Sequence, residues 1–355
     1  MKEILKTVGD RFLIPGELAT YQPLTNGNIN ATYRVDYCEG DVKHAYVFQR
    51  INQNVFKKPV EIMQNIELVT SHIVSKGARA LQYRKTAEGD SYYSDENGFW
   101  RVTDFLESVA FNLCTDLETV ATVGEAFGEF QLQLSDLDGT KLHETIPDFH
   151  NTRRRIEHLM STAEADPVGR VAMVQEELAF VASVKDLVCE LGDRLEKGDF
   201  VVRVTHNDTK SNNVLLDKDT LRPLVVIDLD TVMPGMAMHD FGDAVRFICN
   251  TANEDEADLS KVSLDLDKYR AFCKGFIGQV KNGLTRAEIE SMALGALAMT
   301  VELVVRFLDD YIAGDTYFKI LYPEHNIVRT RCQMALAKDM LAKFDQMKSI
   351  VLEYC

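Results

Sequence analysis

The stretch "VTHNDTKSNNVLLD", Val204 to Asp217, places a charged, amide-rich loop between two apolar, strand-like runs. Within it His206, Asp208 and Asn213 form H-x-D-x-x-x-x-N, and Asp228 follows 20 residues after Asp208. Phosphoryl transfer from ATP needs a carboxylate beside the attacking hydroxyl and oxygen ligands for the Mg²⁺ that neutralises the phosphates. Asp208 fits the first requirement, and Asn213 with Asp228 fits the second. A lone Asp-x4-Asn is common by chance. The further Asp, ending the predicted buried strand "LVVIDLD", and the β-rich stretch upstream make the set specific. "DFGD", Asp240 to Asp243, mimics a magnesium-binding motif but lies 32 residues past Asp208 and precedes a predicted helix. Asp228 is therefore the expected metal ligand.

Periodicity indicates what must hold these side chains. "TYRVDY" alternates polar and apolar residues as a half-buried strand does, and "HAYVFQRI" pairs with it across "CEGDVK". "PVEIMQNIELVTSHIVSKG" has helical spacing at Val60, Met63, Ile66, Val69 and Ile73, with Gly77 as its stop. "DSYYSD" and "FWRVTDFL" read as strands joined by the turn "ENG". After "FLES" the texture becomes helical. Asp116 caps an amphipathic helix that runs to Leu137, and others are expected at 153–165, 173–195, 267–281, 285–312 and 325–353. Thr285 and Glu288 form a capping box. Only "FVVRV", "NVLLD" and "LVVIDLD" interrupt as strands. The expected fold is α+β: a small β-rich lobe over 1–107, then a larger, mostly helical lobe over 108–355.

The 39 basic and 55 acidic residues give a net charge of −16, which repels phosphate backbones and argues against a nucleic-acid partner. "SMALGALAMTV", between Glu290 and Glu302, is too short for a bilayer that needs about 20 apolar residues; it reads as a buried helix, and no membrane partner is expected. The opening "MKEILKTVGDRFLI" is charged within its apolar run and lacks a signal-peptide core. Seven scattered cysteines with no C-x-x-C pair fit reduced thiols in a cytoplasmic protein and argue against zinc.

"THNDTKSNNVLL" and "VVIDLDTVMPGMAMHDFGD" resemble the catalytic signature of the aminoglycoside phosphotransferase and choline kinase-like superfamily. The resemblance covers nearly the whole chain. "NGNINATYRV", "QRIN", "NIELVTS", "RFLDDY" and "YPEHNIVRTR" are similar to segments of its N-acetylhexosamine 1-kinase branch. It implies a protein-kinase-like two-lobe fold, with ATP as co-substrate, Mg²⁺ as cofactor, and transfer to the C1 hydroxyl of N-acetylglucosamine or N-acetylgalactosamine. Asp208 would be the base, Asn213 and Asp228 the magnesium ligands, and His206 and Asp240 the braces of the catalytic loop.

By the same resemblance Gly27, Asn30, Thr32, Val47, Gln49, Phe105 and Glu107 would bind the nucleotide. Gly27 lets backbone approach phosphate, and Asn30 would bond across the turn. Phe105 to Glu107 would be the hinge that meets adenine. Strand alternation puts Val47 and Gln49 on one face; relatives carry Lys or Arg where Gln49 stands, and Arg50 points to the other face. Glu67 reads either as a polar partner of this site or as part of a solvated face. Asp208, Asp230, Phe247, Arg306 and Tyr317 would line the sugar site, with "YPEHNIVRTR" as a wall. Arg306 and Asp310, four apart on one helix face, read equally as a surface ion pair. Two alternatives stay open. One is a kinase of another small alcohol (an aminoglycoside, choline, homoserine or methylthioribose). The other is a non-catalytic nucleotide-binding module, which would require loss of residues that are all present here.

Overall fold

The computed structural model describes residues 1–24 and 29–355. Helix α1 (Lys2–Arg11), absent from the sequence reading, buries Leu5 and Val8, with Glu3 in its first turn and Arg11 in its last. These charges complement the helix dipole. Strands β1 (Glu17–Leu24), β2 (Ala31–Glu39) and β3 (Val42–Ile51) lead to α2 (Pro59–Ser75), then β4 (Tyr93–Asp95) and β5 (Gly98–Asp104). They form one antiparallel sheet in the order β1-β2-β3-β5-β4.

Register determines what the two faces of this sheet carry. Tyr33, Phe48 and Val102 lie in one row across β2, β3 and β5, and Thr32, Gln49 and Arg101 in the next. Adjacent rows face opposite sides. Phe48, Val102 and Trp100 therefore pack with Leu5 and Val8 of α1, and with Phe12 just after it, into a core of their own. Arg50 lies on this α1 side, 5.9 Å from the Trp100 ring centre. The Thr32–Gln49–Arg101 row faces the other way, toward α2. Helix α2 starts on Pro59 and buries Ile62, Met63, Ile66, Val69 and Ile73; Val60 is exposed, so the apolar stripe starts at Ile62.

The rest is mostly helical: α3 (Leu117–Gln133), α4 (Thr152–Ala165), α5 (Gln175–Glu196), β6 (Arg203–Thr205), β7 (Val214–Leu216), β8 (Pro223–Val226), β9 (Met233–Gly235), α6 (Ala237–Ile248), α7 (Leu266–Val280), α8 (Arg286–Glu290), α9 (Met292–Ile312), α10 (His325–Ala342) and α11 (Phe344–Leu352). The Asp116 cap and the Thr285–Glu288 capping box are both present. Several expectations need correction. The helix over 285–312 breaks at Ser291, whose hydroxyl donates back to the Ala287 carbonyl and accepts from Arg194. Such back-bonding bends helices. The helix over 325–353 breaks at Lys343. "DSYYSD" is strand only in its last three residues, and "FVVRV" is strand only at Arg203 and Val204, where β6 starts. β8 ends at Val226, so Asp228 stands beyond the strand in a left-handed conformation, φ 60° and ψ 52°. "DFGD" lies inside α6 rather than before a helix.

One continuous apolar core joins α2 and Ile51 of the sheet to α3, α6, α7, α9 and α10. The "SMALGALAMTV" segment is buried in α9 as expected, and no helix among the described residues is long and apolar enough to cross a membrane. Two glycines set the crossing of α6 on α9. A Cβ on Gly242 would sit 2.3 Å from the Gly295 carbonyl oxygen, and one on Gly295 would sit 2.4 Å from that of Met238. Backbone meets backbone there, so neither neighbour can rotate aside. Gly242→Ala should therefore push α6 off α9 and destabilise the fold by about 1–3 kcal/mol, measured by urea denaturation. Unchanged stability in that variant would show the crossing to be looser than this.

Candidate active site

The loop from His206 to Asn213 joins β6 to β7, and most of its amides have no strand to pair with. Asp240, in the first turn of α6, takes them: its carboxylate accepts the N–H groups of His206 and Asn207, each at 2.8 Å, and the side-chain amide of Gln131. Its carbonyl accepts the Thr209 hydroxyl at 2.6 Å, and Asp243 accepts the Thr209 N–H at 3.0 Å. Burial raises the Asp240 carboxyl above its ordinary pKa, and the donors around it offset this only in part. His206 completes the brace. Its Nε2 lies 2.8 Å from the Ile227 carbonyl, and its Nδ1 accepts the Asp208 N–H at 3.2 Å, which makes Nε2 the protonated nitrogen. The geometry thus gives His206 and Asp240 the bracing contacts expected of them.

Asp208 emerges from this brace partly exposed. Lys210 Nζ lies 2.7 Å from its Oδ1, and the Asn213 amide donates to its carbonyl at 2.8 Å and to its carboxylate at 3.2 Å. Burial alone would raise this carboxyl; Lys210, with His206 and Asn213, outweighs burial and holds it below the ordinary range. Lys210 is raised chiefly by Asp208 and stays charged. The sequence reading gave Lys210 no role, although its place two residues after Asp208 was the available signal.

Asp228 and Asp230 lie beside it. Burial first, then the charges of Asp230 and Asp208, push the Asp228 carboxyl up to about 7. A cation is what such a carboxylate lacks. Asn213 commits its amide nitrogen to Asp208, and among the described residues its side-chain oxygen accepts no hydrogen bond. Mg²⁺ is commonly held by one or two protein oxygens with phosphate and water completing the shell. Asn213 and Asp228 fit that pattern. Among the described residues no group of three His, Cys, Asp or Glu side chains forms an all-protein metal site.

Asp230 is tied to the sheet on both oxygens. Asn30 donates to it at 2.6 Å, and Arg101, fully buried on β5, donates through Nη1 at 2.5 Å. Arg101 Nε also donates to Gln49 at 3.0 Å, and Gln49 donates to Thr32 at 3.2 Å. Sequence reasoning missed Arg101 altogether. Among the described residues the Asn30 oxygen accepts the Asn52 N–H at 3.0 Å, just past the end of β3; the turn that it was expected to bridge lies outside the described residues. Gly27 lies outside the described residues.

A cavity of about 430 Å³ unites these groups: Asp208, Asn213, Asp228 and Asp230 on one side, with Asn30, Thr32, Val47 and Gln49 of the sheet opposite. Phe105, Leu106 and Ser108 line it where the chain leaves β5. Glu107 is not in that wall; its side chain is exposed, 4.0 Å from Arg34. The Phe105 N–H is used within the sheet, donating to the Ala45 carbonyl at 2.9 Å. Glu67 pairs with Lys85 at the surface, the solvated reading of that residue.

Phe247, Arg306 and Tyr317 do not line this cavity. Phe247 is half-buried, Tyr317 is exposed, and the Arg306 guanidinium rests over the rings of Phe149 (5.4 Å) and Phe318 (5.5 Å). One turn back, Glu302 is buried against His150 and Arg155. Burial raises its carboxyl, but His150, Arg155 and Arg306 together bring it down to about 2. Asp310 forms no ion pair with Arg306. It is buried and accepts the N–H groups of Thr316 (2.8 Å), Tyr317 (2.7 Å) and Phe318 (2.9 Å), plus the Asn326 amide (2.8 Å). "YPEHNIVRTR" thus reaches back through Asn326 to anchor the loop that carries Tyr317.

Residues 20–272 match the model of the APH phosphotransferase enzyme family. The chain belongs to that family. It is a phosphotransferase, a kinase of this family, and its α+β kinase-like fold is shared by solved structures. One is a spectinomycin phosphotransferase in complex with ADP and spectinomycin, TM-score 0.61 and 12% identity over 97% of this chain and 98% of that one. Another is a choline kinase from Cryptosporidium parvum, TM-score 0.62 and 12% identity over 98% and 97%. A third is an ethanolamine kinase from Plasmodium vivax, TM-score 0.53 and 13% identity over 88% and 82%. At such identities the likeness is one of fold.

In this phosphotransferase the Asp310 knot stands apart from the catalytic brace, which gives a local test. Asp310→Ala should cost at least about 2 kcal/mol, because several donors lose a charged acceptor together. Hydrogen exchange at Thr316, Tyr317 and Phe318 should quicken while His206 and Asn207 stay protected. Retained protection at 316–318 would show that other contacts hold the loop.

Proposed function

We propose that this kinase transfers the γ-phosphoryl group of ATP to the C1 hydroxyl of an N-acetylhexosamine, giving the sugar 1-phosphate. The observation that carries the phosphoryl-transfer part is the convergence of Asp208, Asn213 and Asp228 on one cavity beneath the sheet. The choice of acceptor rests on the "RFLDDY" and "YPEHNIVRTR" segments and on Arg306, a planar donor suited to fixing ring hydroxyls two at a time.

In this reading Asp208 orients the acceptor hydroxyl and takes its proton late, as a loose transition state allows. The low pKa imposed by Lys210 keeps Asp208 ionised, ready to accept, and Lys210 adds positive charge where the transferred group passes. Asn213 and Asp228 would hold Mg²⁺, whose chemistry is to neutralise phosphate charge. The anomeric hydroxyl is the most acidic on such a sugar, so an ordinary carboxylate suffices. Arg306, Tyr317, Phe247 and Asp230 would then select by position, where about an angstrom of misplacement can cost a hundredfold. The lobes over 1–107 and 108–355 would close about the connection at Phe105 to Glu107.

One observation favours a second reading. Four aspartates in one cavity and a net charge of −16 suit a cationic amino alcohol as well. An assay of ATP consumption over N-acetylhexosamines, choline, homoserine, methylthioribose and an aminoglycoside separates the two. Phosphorus NMR of the product should show a hexosamine 1-phosphate; a 6-phosphate, or transfer only to an amino alcohol, would overturn the first reading. Asp208→Asn should keep ATP binding and lose turnover by at least about a hundredfold, since base and orienter go together. Near-native turnover would remove Asp208 from the chemistry.

A further inference from the structure

The segment that follows β5 is strapped to the catalytic loop. Val109 and Leu216 exchange backbone hydrogen bonds in both directions at 2.9 Å, and Ser211 Oγ donates to the Phe111 carbonyl at 2.7 Å. Next to these ties the Asn212 amide donates to Asn112 Oδ1 at 2.9 Å. Both asparagines line the cavity that holds Asp208, and neither takes part in the chemistry assigned to Asp208, Asn213 and Asp228. Each keeps one polar atom uncommitted among the described residues. Asn212 Oδ1 is buried without a partner, and the Asn112 amide nitrogen donates to nothing. A buried acceptor left idle is costly unless something else completes it. The cavity supplies two kinds of wall for a nucleotide: Asp208, Lys210 and Asp228 carry charge, whereas Val47, Leu106 and Leu215 offer the apolar surface that a flat base needs. Asn212 adjoins the charged wall as the neighbour of Asn213, and Asn112 lies on the strap that begins at Leu106. The pair therefore belongs to the stretch where base gives way to phosphate, which in a nucleotide is the sugar.

We propose that the Asn112–Asn212 pair recognises the 2′,3′-diol of the nucleotide ribose, and that through it this kinase tells a ribonucleotide from its deoxy forms. A vicinal diol presents two donors and two sets of acceptor lone pairs, and two side-chain amides match it with an acceptor oxygen and a donor N–H each. The terminal torsion of an asparagine is soft, so either amide can turn its free atom to a ligand while the backbone stays in place. The Val109–Leu216 and Ser211–Phe111 ties set the spacing of the two amides before nucleotide arrives, which lowers the cost of ordering them. A deoxy-sugar leaves one amide atom facing a methylene, and a site built for a hydroxyl rejects the analogue that lacks it. This assignment rests on the ATP-dependent kinase reading but not on which alcohol is the acceptor.

The experiment measures ATP, 2′-deoxy-ATP and 3′-deoxy-ATP by calorimetry with Mg²⁺, in the native chain, Asn112→Ala, Asn212→Ala and the double variant. The native chain should bind ATP roughly tenfold tighter than one or both deoxy analogues, the usual effect of a hydrogen bond lost with its partner left unpaired. In the double variant ATP should weaken to the level of the analogues, and the analogues should stay within about twofold of their native affinities, so the preference for ribose disappears. Asn112 is exposed, so Asn112→Ala should fold even where Asn212→Ala does not, and alone it should cut the preference by about threefold. A pair that only ties two segments together predicts a different result, in which all three nucleotides weaken in parallel and their ratio is kept. That outcome in folded variants would overturn the assignment. So would a native chain that binds ATP and both deoxy analogues equally, or a native preference that survives in the double variant. A native chain that binds none of the three would overturn the kinase reading along with it, a result distinct from the others.

Discussion

The acceptance of two successive loop amides by one carboxylate, Asp240, is the constraint on which the site depends. His206 and Asn207 give their N–H groups to the two oxygens of the same side chain, and Asn207 adopts φ 63° between them. That left-handed residue turns the chain so that Asp208 faces the cavity while His206 faces the core. A short polar residue tolerates this conformation better than most. Asp240 can serve only if α6 is held closely, and the Gly242–Gly295 crossing holds it. The geometry of Asp208 is therefore fixed by a glycine contact inside the helical core.

A second constraint is electrostatic. Asp208, Asp228 and Asp230 share one cavity, and the cations in contact with them are Lys210 at Asp208 and Arg101 at Asp230. Among the described residues Asp228 has no hydrogen-bond or ion-pair partner, and burial together with the charges of Asp230 and Asp208 raises its pKa. Its backbone is also left-handed, at φ 60° and ψ 52°, a conformation that residues other than glycine adopt sparingly. Charge deficit and backbone strain thus meet at one residue of the cavity.

What the sequence disclosed follows from how local each signal is. That Asp208, Asn213 and Asp228 would come together beside His206 was legible because they sit at short, fixed spacings, and the capping residues Asp116 and Thr285 were legible for the same reason. Helix α1 was missed because its charged residues broke the apolar run that would have marked it. The breaks at Ser291 and Lys343 were missed because helical periodicity continues through both. Arg101 was invisible for a different reason. Its importance depends on the register of β5 against β3, a pairing across 52 residues of sequence distance that no local pattern specifies. Asp310 was misread because its partners, the amides of Thr316 to Phe318, are backbone groups and leave no trace in side-chain spacing.

The two polar knots of the helical part are built separately, and that separation bears on how one fold can serve several acceptors. Asp240 and Asp243 bind only the catalytic loop and its neighbours Gln131 and Arg246. Asp310 and Asp315 bind only the 316–318 loop, Asn326 and Arg170. Among the described residues no side chain belongs to both knots. Changes in loop length or residue type near Tyr317 can thus be absorbed by the second knot without moving Asp208, because the first takes its amides from another stretch of chain. Arg306 stands on the second side of this division, on α9, stacked between Phe149 and Phe318 rather than bonded to the brace. The side that would handle the phosphates is held by α6 and the sheet, and the side that would meet the acceptor by α9 and α10. Specificity can therefore vary on a catalytic frame that stays fixed.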